Sequence, residues 1–338
     1  MMRNYFMKKR LFQTASLLLA VFGLAGCAFS ATLGSSSRTD DPGSSYTDTF
    51  PLAEADLEEE MVALSDAPAA LPLDLTVSAP GSLEKRNEKA VIDYSNTKDG
   101  YVMIQYTAPT AKRLKAQVKG PTTTYTYDLT AGQLAAFPLS DGDGTYQFAV
   151  YENVEGTRYA CVLSQTCDVT LTDEFAPFLR PNQYVDYAPA VNTVAKAQEL
   201  TRDMTEPLKK VEAIYNFVVQ NLTYDKQLAA TVQSGYLPVL DTVLEKKSGI
   251  CFDYAALMTG MLRSQGVPCK LVVGYAGSAY HAWISVWSQE TGWVDGAIHF
   301  DGNSWQRMDP TFASTGKQSS SIMAYIGDGS NYAPKYFY

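Results

Sequence analysis

Three residues in the C-terminal half of this chain could together do nucleophilic chemistry: Cys251, His281 and Asp309. A thiol attacks as its thiolate, which the unpaired N–H groups and the dipole of a helix N-terminus favour. The same N–H groups can hold an oxyanion once a carbonyl has been attacked. An imidazole within reach can take and return a proton, and a carboxylate can fix its tautomer. Singly, each has a plainer reading: a small core thiol, a structural imidazole, a turn Asp before Pro. Only the trio argues for acyl chemistry. The chain has two histidines, and His281, at the start of a strand-like run, is the better base than His299. Tyr224, in Leu222-Thr223-Tyr224-Asp225 ahead of Cys251, is a candidate oxyanion donor beside the Cys251 N–H. Its alternative is a structural Tyr packed on the preceding helix. His299 and Asp301 stand two apart, which does not make a metal site. No glycine-rich phosphate loop and no redox Cys-x-x-Cys is present, so no cofactor is implied.

The elements that must position the trio can be read from periodicity. Ser248-Gly249-Ile250-Cys251 opens a helix on which Tyr254, Ala255, Met258, Met261 and Leu262 share the face of Cys251. Gly266 stops it and Pro268 follows. Strand-like runs follow at 270–275 and 281–287, then a hairpin around Asp301-Gly302. Asp309 is expected on a strand beside that of His281. Upstream, one helix is expected over 194–204. A second, capped by Thr205 with Pro207 in its first turn, carries the apolar stripe Leu208, Val211, Tyr215, Val218, Val219 and Leu222. Trp283, Trp287, Trp293 and Trp305 are core or cleft wall.

Together these segments resemble the transglutaminase-like superfamily. The residues that carry the resemblance are Gly249-Ile250-Cys251-Phe252-Asp253-Tyr254-Ala255, Leu262-Arg263-Ser264-Gln265-Gly266-Val267-Pro268, Val273-Gly274-Tyr275, His281-Ala282-Trp283, Gly292-Trp293 and Met308-Asp309-Pro310-Thr311. Each piece is weak, but six in this order are specific. The resemblance covers about residues 190–315. It implies a papain-like core, with the Cys on a helix packed against an antiparallel sheet carrying His and Asp, and acyl transfer through a thioester. Two residues depart from the pattern. Cys269 stands where a small residue is common and is read as a core thiol; Phe252 would narrow the cleft beside the nucleophile.

Residues 85–178 read as all-β, with short alternating segments at 90–94, 101–106, 114–118, 123–129, 145–151 and 158–163 between turn signals. Six or seven such strands suggest an immunoglobulin-like sandwich, in which no chemistry is apparent. Cys161 and Cys167 are too far apart for a bond if extended, at about 20 Å. A tight turn at Ser164-Gln165 could pair them; two separate core thiols are the preferred reading. The fold class is thus α+β, a papain/transglutaminase-like domain at 179–338 preceded by the sandwich.

The N-terminus reads as an export signal. A basic stretch ends at Arg10, an apolar run too short to span a bilayer follows, and Leu24-Ala25-Gly26-Cys27 resembles a lipoprotein cleavage site. Residues 1–26 are the expected signal peptide, Cys27 the expected lipidated residue, and 27–84 a disordered tether rich in Ser, Thr, Ala, Pro and Asp. Losing the four basic residues of the signal takes the net charge from -9 to -13. A surface that acidic argues against nucleic acid as a partner. The functional expectation is a membrane-tethered bacterial surface enzyme that cleaves peptide or isopeptide bonds, on a protein or peptide substrate such as cell-wall peptide. Hydrolysis is favoured over cross-linking, because neither a calcium loop nor an acceptor site is readable. The alternative is a non-catalytic surface binding module.

Overall fold

The structure, a computed structural model, describes residues 75–289, 292–295, 298–300, 305–307, 309–315 and 331–338. The expected signal peptide, Cys27, most of the expected tether and the Asp301-Gly302 turn lie outside them. The tether was expected to reach residue 84, but chain is held from Leu75 onward: Leu75 is buried, Tyr101 Oη accepts the Ser78 N–H at 3.1 Å and Asp93 the Gly81 N–H at 2.6 Å.

Eight strands come first: β1 (Glu84–Arg86), β2 (Ala90–Asp93), β3 (Tyr101–Tyr106), β4 (Leu114–Lys119), β5 (Thr124–Leu129), β6 (Leu134–Pro138), β7 (Gly144–Glu155) and β8 (Arg158–Val169). They form two antiparallel sheets in the orders β1-β2-β3-β6 and β5-β4-β7-β8. Strict alternation aims Leu114, Ala116 and Val118 of β4, and Tyr125, Tyr127 and Leu129 of β5, into the core. Strand β6 was not anticipated. Its Leu-Ala-Ala-Phe-Pro run has poor strand propensity, and pairing with β3 overrides that. Strand β8 runs unbroken through Ser164-Gln165, so no turn brings Cys161 to Cys167. Both thiols are free, and Cys161 is exposed rather than in the core.

Glu152 of β7 is 9% exposed and accepts bonds from Lys112, from Tyr106 at 2.5 Å and from Lys89 at 3.3 Å. The bonds from Lys112 and Tyr106, reinforced by Lys89, outweigh burial and hold its carboxyl at about 2. A folded value below the unfolded one, about 4.3, stabilises the protein above the unfolded value and stops doing so as pH falls through 2. Glu152→Gln should therefore weaken the fold at neutral pH and flatten part of its loss of stability between about pH 4.5 and 2. Urea unfolding across that range checks this; an unchanged slope would refute it.

The second half contains α1 (Val191–Leu200), α2 (Pro207–Asn221), β9 (Thr223–Tyr224), α3 (Lys226–Thr231), α4 (Leu240–Lys246), β10 (Ser248–Gly249) and α5 (Cys251–Ser264). Strands β11 (Cys269–Ala276), β12 (Ala279–Ser288), β13 (Gly292–Asp295), β14 (Ile298–Phe300) and β15 (Trp305–Arg307), helix α6 (Pro310–Thr315) and strand β16 (Tyr332–Phe337) follow. Helix α1 begins earlier than expected and ends at Leu200. The residue before α2 is Glu206, not Thr205, because Pro207 takes the first helical position. Helix α5 is buried from Asp253 to Ser264, between α1, α2 and α4 and the antiparallel sheet β13-β12-β11-β16.

The apolar core continues across the expected boundary at 178/179. Tyr125 and Tyr127 of β5 meet Tyr338 edge-on at 5.6 and 5.7 Å. Tyr184 packs on Tyr338 at 4.6 Å and on Phe252 at 5.4 Å. A wall of rings thus runs from the first half to the residue after Cys251. Beneath it the fully buried Arg263 donates to the carbonyls of Cys269 (2.8 Å), Arg180 (2.8 Å) and Tyr338 (2.6 Å).

Candidate active site

Cys251 is the first residue of α5, half-buried, with Ile250 before it in extended conformation. The turn into the helix is built by its neighbours. Asp253, in the first turn, accepts the Ile250 N–H at 2.8 Å and the Tyr236 hydroxyl at 2.6 Å. Burial raises the Asp253 carboxyl, and those two bonds oppose the rise. A Cβ on Gly249 would lie 2.5 Å from the Asp253 Cβ, so only glycine lets the cap close. Gly249 pairs in parallel with Tyr224, and its carbonyl accepts the Asp225 N–H at 2.9 Å. Tyr224 is therefore tied through its backbone to the approach to the nucleophile, and it packs half-buried on the core.

His281 lies on β12, opposite Gly274 of β11, and is 3% exposed. Its Nε2 and Asp309 Oδ2 are 2.6 Å apart. That leaves Nδ1 as the ring nitrogen for the Cys251 sulfur, which is a hydrogen-bond partner of the imidazole. Burial is the largest single influence on His281 and pulls its pKa down. The charges of Asp309 and Cys251 and bonds to both together outweigh it and lift the imidazole well above its usual value. The structure thus brings the three side chains to one place at the junction of α5 and the sheet.

Asp309 is fully buried and is not on a strand. It stands between β15 and α6, with Pro310 as the first helical residue. Its Oδ1 accepts the Thr311 N–H at 2.9 Å, an N-cap bond for which Asp-Pro-Thr is the local signal. Capping fixes the carboxylate and leaves Oδ2 for His281.

Two tyrosines around Asp309 were not anticipated. The Tyr332 hydroxyl, on β16, donates to Oδ2 at 3.2 Å. Tyr215 of α2, buried, has its hydroxyl pushed up by burial and by the charge of Asp309. Tyr215 was read only as part of an apolar stripe. For Tyr332, an aromatic run ending at Tyr338 was the available signal, weakened as a strand by Pro334. Strand β16 can reach the site because residue 274 is Gly: a Cβ there would lie 2.2 Å from the Ala333 carbonyl and 2.8 Å from the Trp283 ring.

Trp283 is buried and stacks near His281, ring centroids 6.1 Å apart. Trp287 and Trp293 pack instead on Phe175 and Phe178, and Lys270 covers the Trp293 ring at 3.8 Å. The side chains of Trp305 and His299 lie outside the description; the backbone of His299 pairs with Gln306. Cys269 is buried, its thiol raised to about 11 mainly by burial, as an inert core thiol should be.

A buried imidazole bonded to a carboxylate and to a thiol at a helix start can carry out proton-coupled thiol addition to a carbonyl. The profile of the transglutaminase-like superfamily matches residues 194–310, which include all three side chains. A protein-glutamine gamma-glutamyltransferase of Pseudomonas aeruginosa is 30% identical over 115 residues, 30% of this chain and 17% of that protein. The Bacillus subtilis protein YebA is 26% identical over 170 residues, 44% of this chain and 22% of that protein. The chain thus spans about a fifth of the length of these relatives. The crystal structure of the periplasmic domain of TgpA from Pseudomonas aeruginosa superposes with a TM-score of 0.32 at 20% identity, over 71% of this chain and 77% of that one. Segment 194–310 of this chain is thus similar to the transglutaminase-like superfamily.

Proposed function

We propose that the protein is a thiol acyl-transfer enzyme acting on peptide or isopeptide bonds, with Cys251 as nucleophile, His281 as acid and base, and Asp309 as the group that orients His281. The observation that carries this reading is the buried 2.6 Å contact between His281 and Asp309, with the Cys251 sulfur as the other partner of the imidazole. In the first step the sulfur bonds to the carbonyl carbon. The C–N bond breaks and the imidazolium gives its Nδ1 proton to the leaving amine. In the second step water adds to the thioester carbon, its proton passes to the imidazole, and the thiol leaves. The Cys251 N–H, with Tyr224 as second donor, holds the oxyanion in both steps.

Hydrolysis is favoured over amine transfer because Cys251 is not fully buried, which leaves its thioester within reach of water. The name of the Pseudomonas relative speaks for amine transfer, but the match covers 17% of that protein. The test is the rate of alkylation by iodoacetamide at pH 7, read site by site by mass spectrometry. Cys251 should react at least about tenfold faster than the exposed Cys161, with Cys269 unmodified until unfolding. Reaction of Cys251 no faster than Cys161 would overturn the reading.

The first half reads as an immunoglobulin-like sandwich. In support, β2-β3-β6 faces β5-β4-β7-β8, the order of an A-B-E sheet over a C′-C-F-G sheet. The molecule reads as a bacterial lipoprotein outside the cytoplasm, held to the membrane by lipid on Cys27, near peptide substrates such as those of the cell wall. Cys27→Ser should release it from the membrane fraction; unchanged fractionation would count against the anchor.

A further inference from the structure

Tyr332 reaches the Cys251–His281–Asp309 cluster from outside the segment that carries the family likeness. It is the first residue of β16, paired opposite Ala276, and the neighbouring Asn331 carbonyl accepts the Gly277 N–H at 2.6 Å. At the far end of the strand, Tyr338 and Leu271 exchange backbone bonds at 2.8 and 2.9 Å, and Arg263 holds the Tyr338 carbonyl. The strand is therefore fixed at both ends. The Tyr332 ring stands edge-on to Trp283 at 5.2 Å and lies 6.4 Å from the His281 ring. This packing aims its hydroxyl at Asp309 Oδ2, the oxygen that also meets His281 Nε2.

We infer that Tyr332 is a positioning residue of this site: its hydroxyl shares Asp309 Oδ2 with His281 and so tempers the hold of the carboxylate on the imidazolium. A carboxylate oxygen that accepts a second bond carries less charge for the first. An imidazolium held less tightly is a stronger acid, better able to release its proton to a leaving amine. The inference rests on the acyl-transfer reading for its purpose, but its physical content is a shift in the titration of His281. The groups acting on the imidazole and its carboxylate are Cys251 from α5, Asp309 ahead of α6, Tyr215 from α2 and Tyr332 from β16, and Tyr280, next to His281 on β12, acts on Cys251. The Tyr332 hydroxyl bonds the carboxylate at 3.2 Å, so its removal takes away one donor.

With two histidines in the chain, the imidazole signals can be followed by nuclear magnetic resonance and assigned with His299→Gln. In Tyr332→Phe the His281 titration midpoint should rise by about half a pH unit or more, roughly a threefold change in its protonation constant. In an Asp309→Asn background the same substitution should leave the midpoint where Asp309→Asn alone puts it. An unmoved midpoint in Tyr332→Phe, or an equal shift without the carboxylate, would overturn the inference and leave Tyr332 a packing residue. If Tyr332→Phe does not fold, Tyr332→Gln, which keeps a donor, against Tyr332→Leu, which does not, carries the same contrast. Iodoacetamide alkylation of Cys251 in the unaltered protein is read alongside. Slow alkylation there overturns the acyl-transfer reading, while the titration still decides the role of Tyr332.

Discussion

Asp309→Asn should slow alkylation of Cys251 by iodoacetamide at pH 7, and slow peptide turnover by about 10²–10⁴. The buried His281 can be positive because Asp309 and Cys251 outweigh its burial. With the Asp309 charge gone, burial dominates and the imidazole becomes neutral at lower pH. A neutral imidazole no longer supports the thiolate that attacks, so alkylation slows. The sign is definite: the pH of half-maximal alkylation rises. Turnover suffers more, because an amide in place of the carboxylate also allows the wrong imidazole tautomer. The Thr311 cap survives, since an amide oxygen can still accept it, so the fold should hold. Alkylation rates from pH 5 to 10 provide the check; an unchanged profile would remove Asp309 from the site.

Arg263→Met should lower stability by on the order of 3 kcal/mol and the unfolding temperature by roughly 6–12 °C. Three carbonyls, from Cys269, Arg180 and Tyr338, lose their donor. The Tyr338 carbonyl keeps the Leu271 N–H at 2.9 Å, and a buried acceptor that loses a charged donor costs about 1–3 kcal/mol. One term opposes this: burial, which pulls the guanidinium down to about 10, is relieved when an apolar chain fills the space. The donors outweigh it because they join three separate segments that nothing apolar can tie together. The carbonyl of Tyr338 anchors β16, so amide exchange there should quicken first. Calorimetry with hydrogen exchange tests both parts, and a melting point within 2 °C of the parent, less than about 1 kcal/mol, would refute the assignment.

The core of the site was legible because its cues are local. Gly249 to Ala255 announces a helix start, Gly266 its end, and the run from His281 to Trp287 is short and mostly apolar, as a buried strand is. Where reading stopped, the cause lies in contacts distant in sequence. Asp309 was placed on a strand because its partner is on one; the Asp-Pro-Thr cap was the better guide. Strand β6, with Leu-Ala-Ala-Phe-Pro, has no strand signal of its own and forms because β3 offers an edge. The Tyr332 bond to Asp309 and the Arg263 bonds to Arg180 and Tyr338 join residues far apart in sequence, where no periodicity betrays them. The turn that could have formed at Ser164-Gln165 failed for the opposite reason: a local possibility lost to the pairing of β8 with β7, which runs through Ser164 and Gln165.

The wall of rings formed by Tyr125, Tyr127, Tyr184, Tyr338 and Phe252 bears on how such a chain can be inherited. Residues 194–310 are what the family shares, yet of those five rings only Phe252 lies inside that span. Tyr332, which bonds Asp309, lies beyond it as well. A recombination event that moved 194–310 alone would carry the nucleophile and its partners but leave their apolar backing behind. The unit that gene shuffling could transfer with a closed core therefore extends upstream to β5 and downstream through β16.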